Sequence, residues 1–183
     1  MHAVNVNRDH FALFGLPRRY AVDLPALESR YRELQREVHP DRFATAPAAE
    51  QRMSMEMATR VNEAYRTLKS PLSRARHLLE LRGVDAGIDT DTAMPREFLL
   101  QQMGWRETLE EAAQAGDAER LGALEAEVRT EAANAHAALE QALEAGDGDG
   151  AGGGEAEGRA AAGLVRRLMF LDKLREEIAL AQE

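Results

Sequence analysis

Pro40 is the residue that most restricts how this chain can fold. It stands between two stretches of helical periodicity, has no amide hydrogen to offer a helix, and drives His39 before it out of helical geometry. Upstream, Asp23 precedes Leu24-Pro25, a capping residue followed by proline in the first turn, and Leu27, Tyr31, Leu34 and Val38 then recur at helical spacing. Downstream, Met57, Val61, Ala64, Tyr65 and Leu68 form a second apolar stripe that stops at Ser70-Pro71. Each stripe needs a partner, and the loop joining them runs only to about Pro47. The two helices are therefore expected to pack as an antiparallel hairpin with His39-Pro40-Asp41 at the turn.

Short helices are predicted at His10 to Phe14, ended by Gly15, and at Leu72 to Leu81, ended by Gly83. The segment from Val84 to Ala93 has turn formers and no period, which makes it the candidate linker. Three further helical stretches follow, at about 95 to 115, 117 to 145 and 156 to 182, with Gly116 at the first junction and DGDGAGGG at the second. Their natural packing is a three-helix bundle. The middle one carries a single stripe of Leu121, Leu124, Val128, Ala132, Ala135, Leu139 and Ala142. The first one carries two. Phe98, Trp105, Leu109 and Ala112 fall on one side, while Leu99, Leu100 and Met103 fall about 150° around the helix. One helix cannot bury both faces in a small bundle, so the second set is expected at the surface. The fold class is all-α, with an N-terminal unit over 1–82, a linker over 83–94 and the bundle over 95–183.

Composition agrees, because aromatic residues make up only 5% and the chain is rich in Ala, Leu, Glu and Arg. There is no cysteine, which excludes disulfides, thiolate nucleophiles and cysteine-ligated zinc or iron-sulfur centres. The five histidines lack metal-ligand spacing, so neither a metal nor a cofactor is expected. No apolar run approaches the roughly 20 residues that span a bilayer. The opening MHAVNVNRDH does not read as a secretory leader, and a soluble cytoplasmic protein without membrane association is expected. Charge is unevenly spread. Residues 1–82 hold 14 Lys and Arg against 10 Asp and Glu, whereas the remainder holds 9 against 22, as two modules would.

Among candidate sites the His39-Pro40-Asp41 loop is the most informative. General acid-base catalysis needs a pocket and a third group, neither of which the neighbouring residues supply, so the chain is not expected to be an enzyme. Arg32 and Arg36 lie one helical turn apart, away from the Leu27/Tyr31/Leu34/Val38 stripe, and Arg42 follows the loop. Such a basic face beside a docking loop can steer an acidic protein surface. Interleaved Glu28, Glu33 and Glu37 argue against nucleic acid. Met53, Met55 and Met57 read as core filling or chance rather than as a cofactor box.

The segments FALFGL, YRELQREVHPDRF and RVNEAYRTLKSPLSRARHLL together resemble the J-domain from its first helix to its last. That resemblance implies that His39, Pro40 and Asp41, with Arg32, Arg36 and Arg42 beside them, dock on a DnaK-type chaperone and promote ATP hydrolysis there. An N-terminal J-domain joined to a bundle containing REFLLQQMGWRETLE and RRLMFLDKLREE is similar to the HscB family. Membership implies a co-chaperone of iron-sulfur cluster assembly that brings an IscU-type scaffold protein to an HscA-type chaperone. By position the client surface maps to Leu99, Leu100, Met103 and Glu107, with Phe170 from the last helix. Gly104 and Met169 depart from the acidic and basic residues often found at those places. Two other readings are a J-domain protein with a different client, and a structural adaptor whose acidic bundle serves oligomerisation alone.

Overall fold

A computed structural model describes residues 9–84, 94–144 and 155–183, so the predicted linker falls largely outside the described residues. The described residues form helices joined by short connections, the all-α class that the sequence predicts, and hold no strand. The helices are α1 (His10–Phe14), α2 (Leu24–Val38), α3 (Ala48–Lys69), α4 (Pro71–Leu81), α5 (Arg96–Ala115), α6 (Ala118–Glu144) and α7 (Glu155–Ala181), with a 3-10 turn over Pro40–Phe43. No described helix is long and apolar enough to cross a membrane. The chain divides into two compact units at Leu81/Arg82.

In the first unit each helix starts and stops for a local reason. Asp9 caps α1 by accepting the Ala12 N–H at 2.7 Å, and Gly15 ends it in the left-handed conformation at φ 65°. Asp23 caps α2 through the Ala26 N–H, and Pro40 ends it. Serine 70 breaks α3 and at once caps α4, its hydroxyl accepting the Ser73 N–H, so α4 begins at Pro71, one residue earlier than the periodicity suggests. Phe11, Phe14, Leu27, Val61, Ala64, Leu68, Leu78 and Leu79 form the core. Tyr31, Leu34 and Val38 complete the α2 stripe but are only half-buried. Tyr31 is secured instead by stacking on Tyr65, with ring centroids 4.0 Å apart, and by donating to the Asn62 side-chain oxygen at 2.8 Å.

Arg74 is a charged residue in this core. Its guanidinium donates to the carbonyls of Leu68 at 2.7 Å and Tyr20 at 2.6 Å, backbone groups that the break at Ser70 and the loop before α2 leave without helical partners. Burial pushes its pKa down from the usual arginine value, with the Tyr20 side chain opposing. Removing such a group strands two buried acceptors, a cost of about 1 to 3 kcal/mol each.

In the second unit α6 packs against α7, and the two helices bury Leu121, Leu124, Val128, Ala132, Ala135, Leu139 and Leu143 from one and Ala161, Ala162, Val165, Leu168, Leu171, Leu174 and Ile178 from the other. At the α5–α6 corner Gly116 takes φ 63° and the Asp117 N–H reaches back to the Ala112 carbonyl at 2.9 Å, while the Asp117 carboxylate caps α6 at Arg120. The buried stripe of α6 ends at Leu143 rather than Ala142, which is half-buried. Heptad spacing drifts against 3.6 residues per turn, and after six steps the larger neighbour takes the inward position.

Candidate functional site

Two surfaces emerge, one on each unit. At the end of α2, Arg32, Gln35, Arg36, His39 and Arg42 line one shallow, open groove. The four charged or titratable members were expected from the sequence. Gln35 was missed, although its spacing of three from Arg32 and four from His39 places it on their helix face. Its amide is committed inward, donating to the Tyr31 hydroxyl at 2.6 Å and to the Asn62 oxygen at 3.0 Å, so it anchors the groove floor to α3.

The loop itself is ordered by short-range bonds. His39 is extended, at φ -61° and ψ 127°, and its Nδ1 accepts the Asp41 N–H at 3.3 Å. With Nδ1 occupied as an acceptor, the neutral ring carries its proton on Nε2. The Asp41 carboxylate is 3.6 Å from the same Nδ1 and its side chain is 90% exposed. A catalytic pair would be enclosed and oriented by a third group. Here both side chains are presented to solvent. Arg42 folds back so that its guanidinium donates to the Arg36 carbonyl at 3.0 Å. Arg32 pairs with Glu28 one turn earlier at 3.5 Å, an exposed ion pair worth about 0 to 1 kcal/mol.

On α5 the two predicted faces are separated as expected. Phe98, Trp105 and Ala112 are buried, whereas Leu99, Leu100 and Met103 are 43%, 59% and 67% exposed, and Glu107 is exposed one turn beyond Met103. Leu109, placed with the buried set by its angle, is half-buried. The indole of Trp105 donates to Glu127 at 2.8 Å, which fixes the rotation of α5 on α6.

Phe170 sits differently from its predicted companions. Its half-buried ring packs edge-on to Phe98 at 5.8 Å and stacks with Trp105 at 6.4 Å, under the Arg106 guanidinium at 5.6 Å. It therefore belongs to the seam between α5 and α7, and it meets the exposed face through Arg106, three residues after Met103. The Gly104 position, between Met103 and Trp105, is open: a Cβ built there meets nothing within 4 Å.

Residues 94–179 match the family model described as the HSCB C-terminal oligomerisation domain. The chain is 52% identical over 181 residues to the co-chaperone protein HscB homolog of Azoarcus sp. (strain BH72), covering 99% of this chain and 97% of the relative. It is 48% identical, with the same coverage, to the HscB homolog of Aromatoleum aromaticum. Among solved structures, HscB from Vibrio cholerae superposes with a TM-score of 0.78 at 35% identity, covering 94% of this chain and 96% of that one. Human co-chaperone HscB superposes with a TM-score of 0.85 at 31% identity, covering 97% and 84%. Identity of this level across nearly the whole length, carried by a J-domain hairpin followed by a helical bundle, shows that the chain belongs to the HscB co-chaperone family.

Proposed function

We propose that this protein stimulates the ATPase of a DnaK/HscA-type chaperone through His39, Pro40 and Asp41, and delivers an IscU-type iron-sulfur scaffold protein to it on the exposed face of α5. The observation that carries the reading is the convergence of Arg32, Arg36, His39 and Arg42 on one open groove at the end of α2. The arginines steer an acidic surface of the chaperone, and the loop then docks. The chaperone owns the reaction centre, and this chain regulates it without being an enzyme. Leu99, Leu100 and Met103 form the apolar centre of the client surface, Glu107 supplies its charge, and Phe170 supports it from behind. Both encounters take place in the cytoplasm.

Delivery makes a specific demand. The chain and the scaffold together should accelerate the chaperone's steady-state ATP hydrolysis by more than their separate accelerations multiplied. A strictly multiplicative result would mean that the two surfaces do not act on one complex, and the delivery reading would fail.

A second reading is favoured by the description of the matching C-terminal family as an oligomerisation domain. On it, Leu99, Leu100 and Met103 join two copies of the chain. Sedimentation of the wild type and of the triple alanine variant separates the readings, since only self-association makes the wild type heavier.

A further inference from the structure

Pro40 creates a hydrogen-bonding deficit around the docking loop. Four residues before it stands Arg36, whose carbonyl would accept from residue 40 in a continuing helix, but proline has no N–H. Val38 would accept from Arg42, yet the Arg42 N–H turns back to the His39 carbonyl at 3.0 Å. Beyond the 3-10 turn the carbonyls of Ala44 and Ala46 also point out of any regular ladder. All four acceptors nevertheless have side-chain donors. Arg42 serves Arg36, as above. Ser54, which is only 5% exposed, donates its hydroxyl to the Val38 carbonyl at 2.8 Å. Gln51 donates its amide to Ala44 at 3.1 Å and to Ala46 at 2.9 Å. Ser54 and Gln51 lie within the first two turns of α3. From there they hold the loop at both ends, the exit from α2 and the entry to α3.

We infer that Gln51 and Ser54 are positioning residues for the docking loop: they keep His39, Pro40 and Asp41 in the conformation that the chaperone binds, without touching the chaperone. This rests on the co-chaperone reading. The consequence is distinctive, because a loop that samples its competent shape only part of the time weakens apparent affinity by that fraction and leaves the bound complex unchanged. Loss of either brace should therefore raise the concentration of co-chaperone needed for half-maximal ATPase stimulation and spare the plateau.

The experiment uses the full chain with Gln51→Glu, Ser54→Ala and their combination. Glutamate keeps the shape of glutamine but cannot donate, and sets a carboxylate against two carbonyl oxygens. Ser54→Thr retains the hydroxyl and serves as rescue, Val61→Ala lowers the stability of α3 away from the loop, and His39→Gln tests the loop. The expected result is a rise of about 5- to 30-fold in half-maximal concentration for the double variant. The plateau should stay within about twofold, Ser54→Thr should recover the wild-type value, and Val61→Ala should show no rise. Amide hydrogen exchange, which needs no chaperone, should quicken over residues 39–46 and stay slow over 61–68. Unchanged exchange in the loop, an unchanged half-maximal concentration, or an equal rise in Val61→Ala overturns the assignment. Faster exchange combined with full stimulation by His39→Gln would show that the braces are real and that the loop is not the docking element, so the two failures are told apart.

Discussion

His77 accepts the backbone N–H of His10 on its Nε2 at 3.2 Å, and the two imidazole rings stack with centroids 4.2 Å apart. The pair ties the first residue of α1 to α4, and the Phe11 ring, 5.9 Å from His77, carries the tie into the core. An accepting Nε2 requires an unprotonated nitrogen.

Stability of the first unit should fall in acid. Burial, and then His77, hold the pKa of His10 below the usual histidine value; Arg60 adds to this, while Glu63 and Asp9 oppose it. A histidine kept neutral in the folded state and free to protonate in the unfolded state favours unfolding once the pH drops below about 6.5. His136 in the second unit shifts the same way through burial, with Asp172 opposing. Asp9, whose carboxyl is raised by burial but lowered further by the Ala12 N–H and Arg18, adds a loss at lower pH, below the usual carboxylate value. Thermal melts between pH 7.5 and 5.5 should show a falling midpoint, and His10→Phe, which keeps a ring on the stack, should flatten that slope. An identical slope in the variant would remove His10 from the account.

The α5 surface makes a paired prediction. Replacing Leu99, Leu100 and Met103 together with alanine should change stability by no more than about 0.5 kcal/mol per site, since exposed substitutions seldom cost more. Leu139→Ala, at a fully buried position of α6, should cost about 2 to 5 kcal/mol. Calorimetric binding of an IscU-type scaffold should be lost in the triple variant and kept in any folded fraction of the control. A triple variant that binds normally would place the client elsewhere.

Gly104 offers a stabilising change on the same helix. It lies in the interior of α5 and an added Cβ has open space, so Gly104→Ala should raise stability by about 0.5 to 1 kcal/mol. Chemical denaturation measures it. No gain would mean that the wild-type helix is already locally distorted at that point.

The arginine groove predicts a salt effect. As ionic strength rises from 0.01 M to 0.15 M the Debye length falls from about 30 Å to about 8 Å, and the half-maximal concentration for ATPase stimulation should rise accordingly. Arg36→Gln should weaken both the stimulation and its salt dependence. A salt response unchanged in Arg36→Gln would make the groove an ordinary solvated surface.

Much of this architecture was legible in the residues because local chemistry dictates it. Pro40 and Ser70-Pro71 end helices wherever they occur, Gly15 and Gly116 adopt the conformation that only glycine takes without strain, and the angular separation of Leu99 from Phe98 on α5 follows from helix geometry alone. What stayed hidden depends on groups brought together from afar. Arg74 looks like a surface residue on α4 until the carbonyls of Tyr20 and Leu68 meet it, and Ser54 and Gln51 have no visible role until the deficit at Pro40 lies beside them. Phe170 was named with the client surface through the family resemblance, and its stacking with Trp105 was not legible in the sequence. Leu109 and Ala142 were placed by angle alone, which cannot say how closely a neighbouring helix approaches.

The most direct test of the central claim is the steady-state ATPase rate of an HscA-type chaperone titrated with the wild-type chain and with His39→Gln. His39 is exposed at the loop and contributes little to packing, so the variant should melt within a few degrees of the wild type. Strong, saturable stimulation is expected from the wild type, and none from His39→Gln at any concentration reached. Equal stimulation by the two chains would contradict that claim.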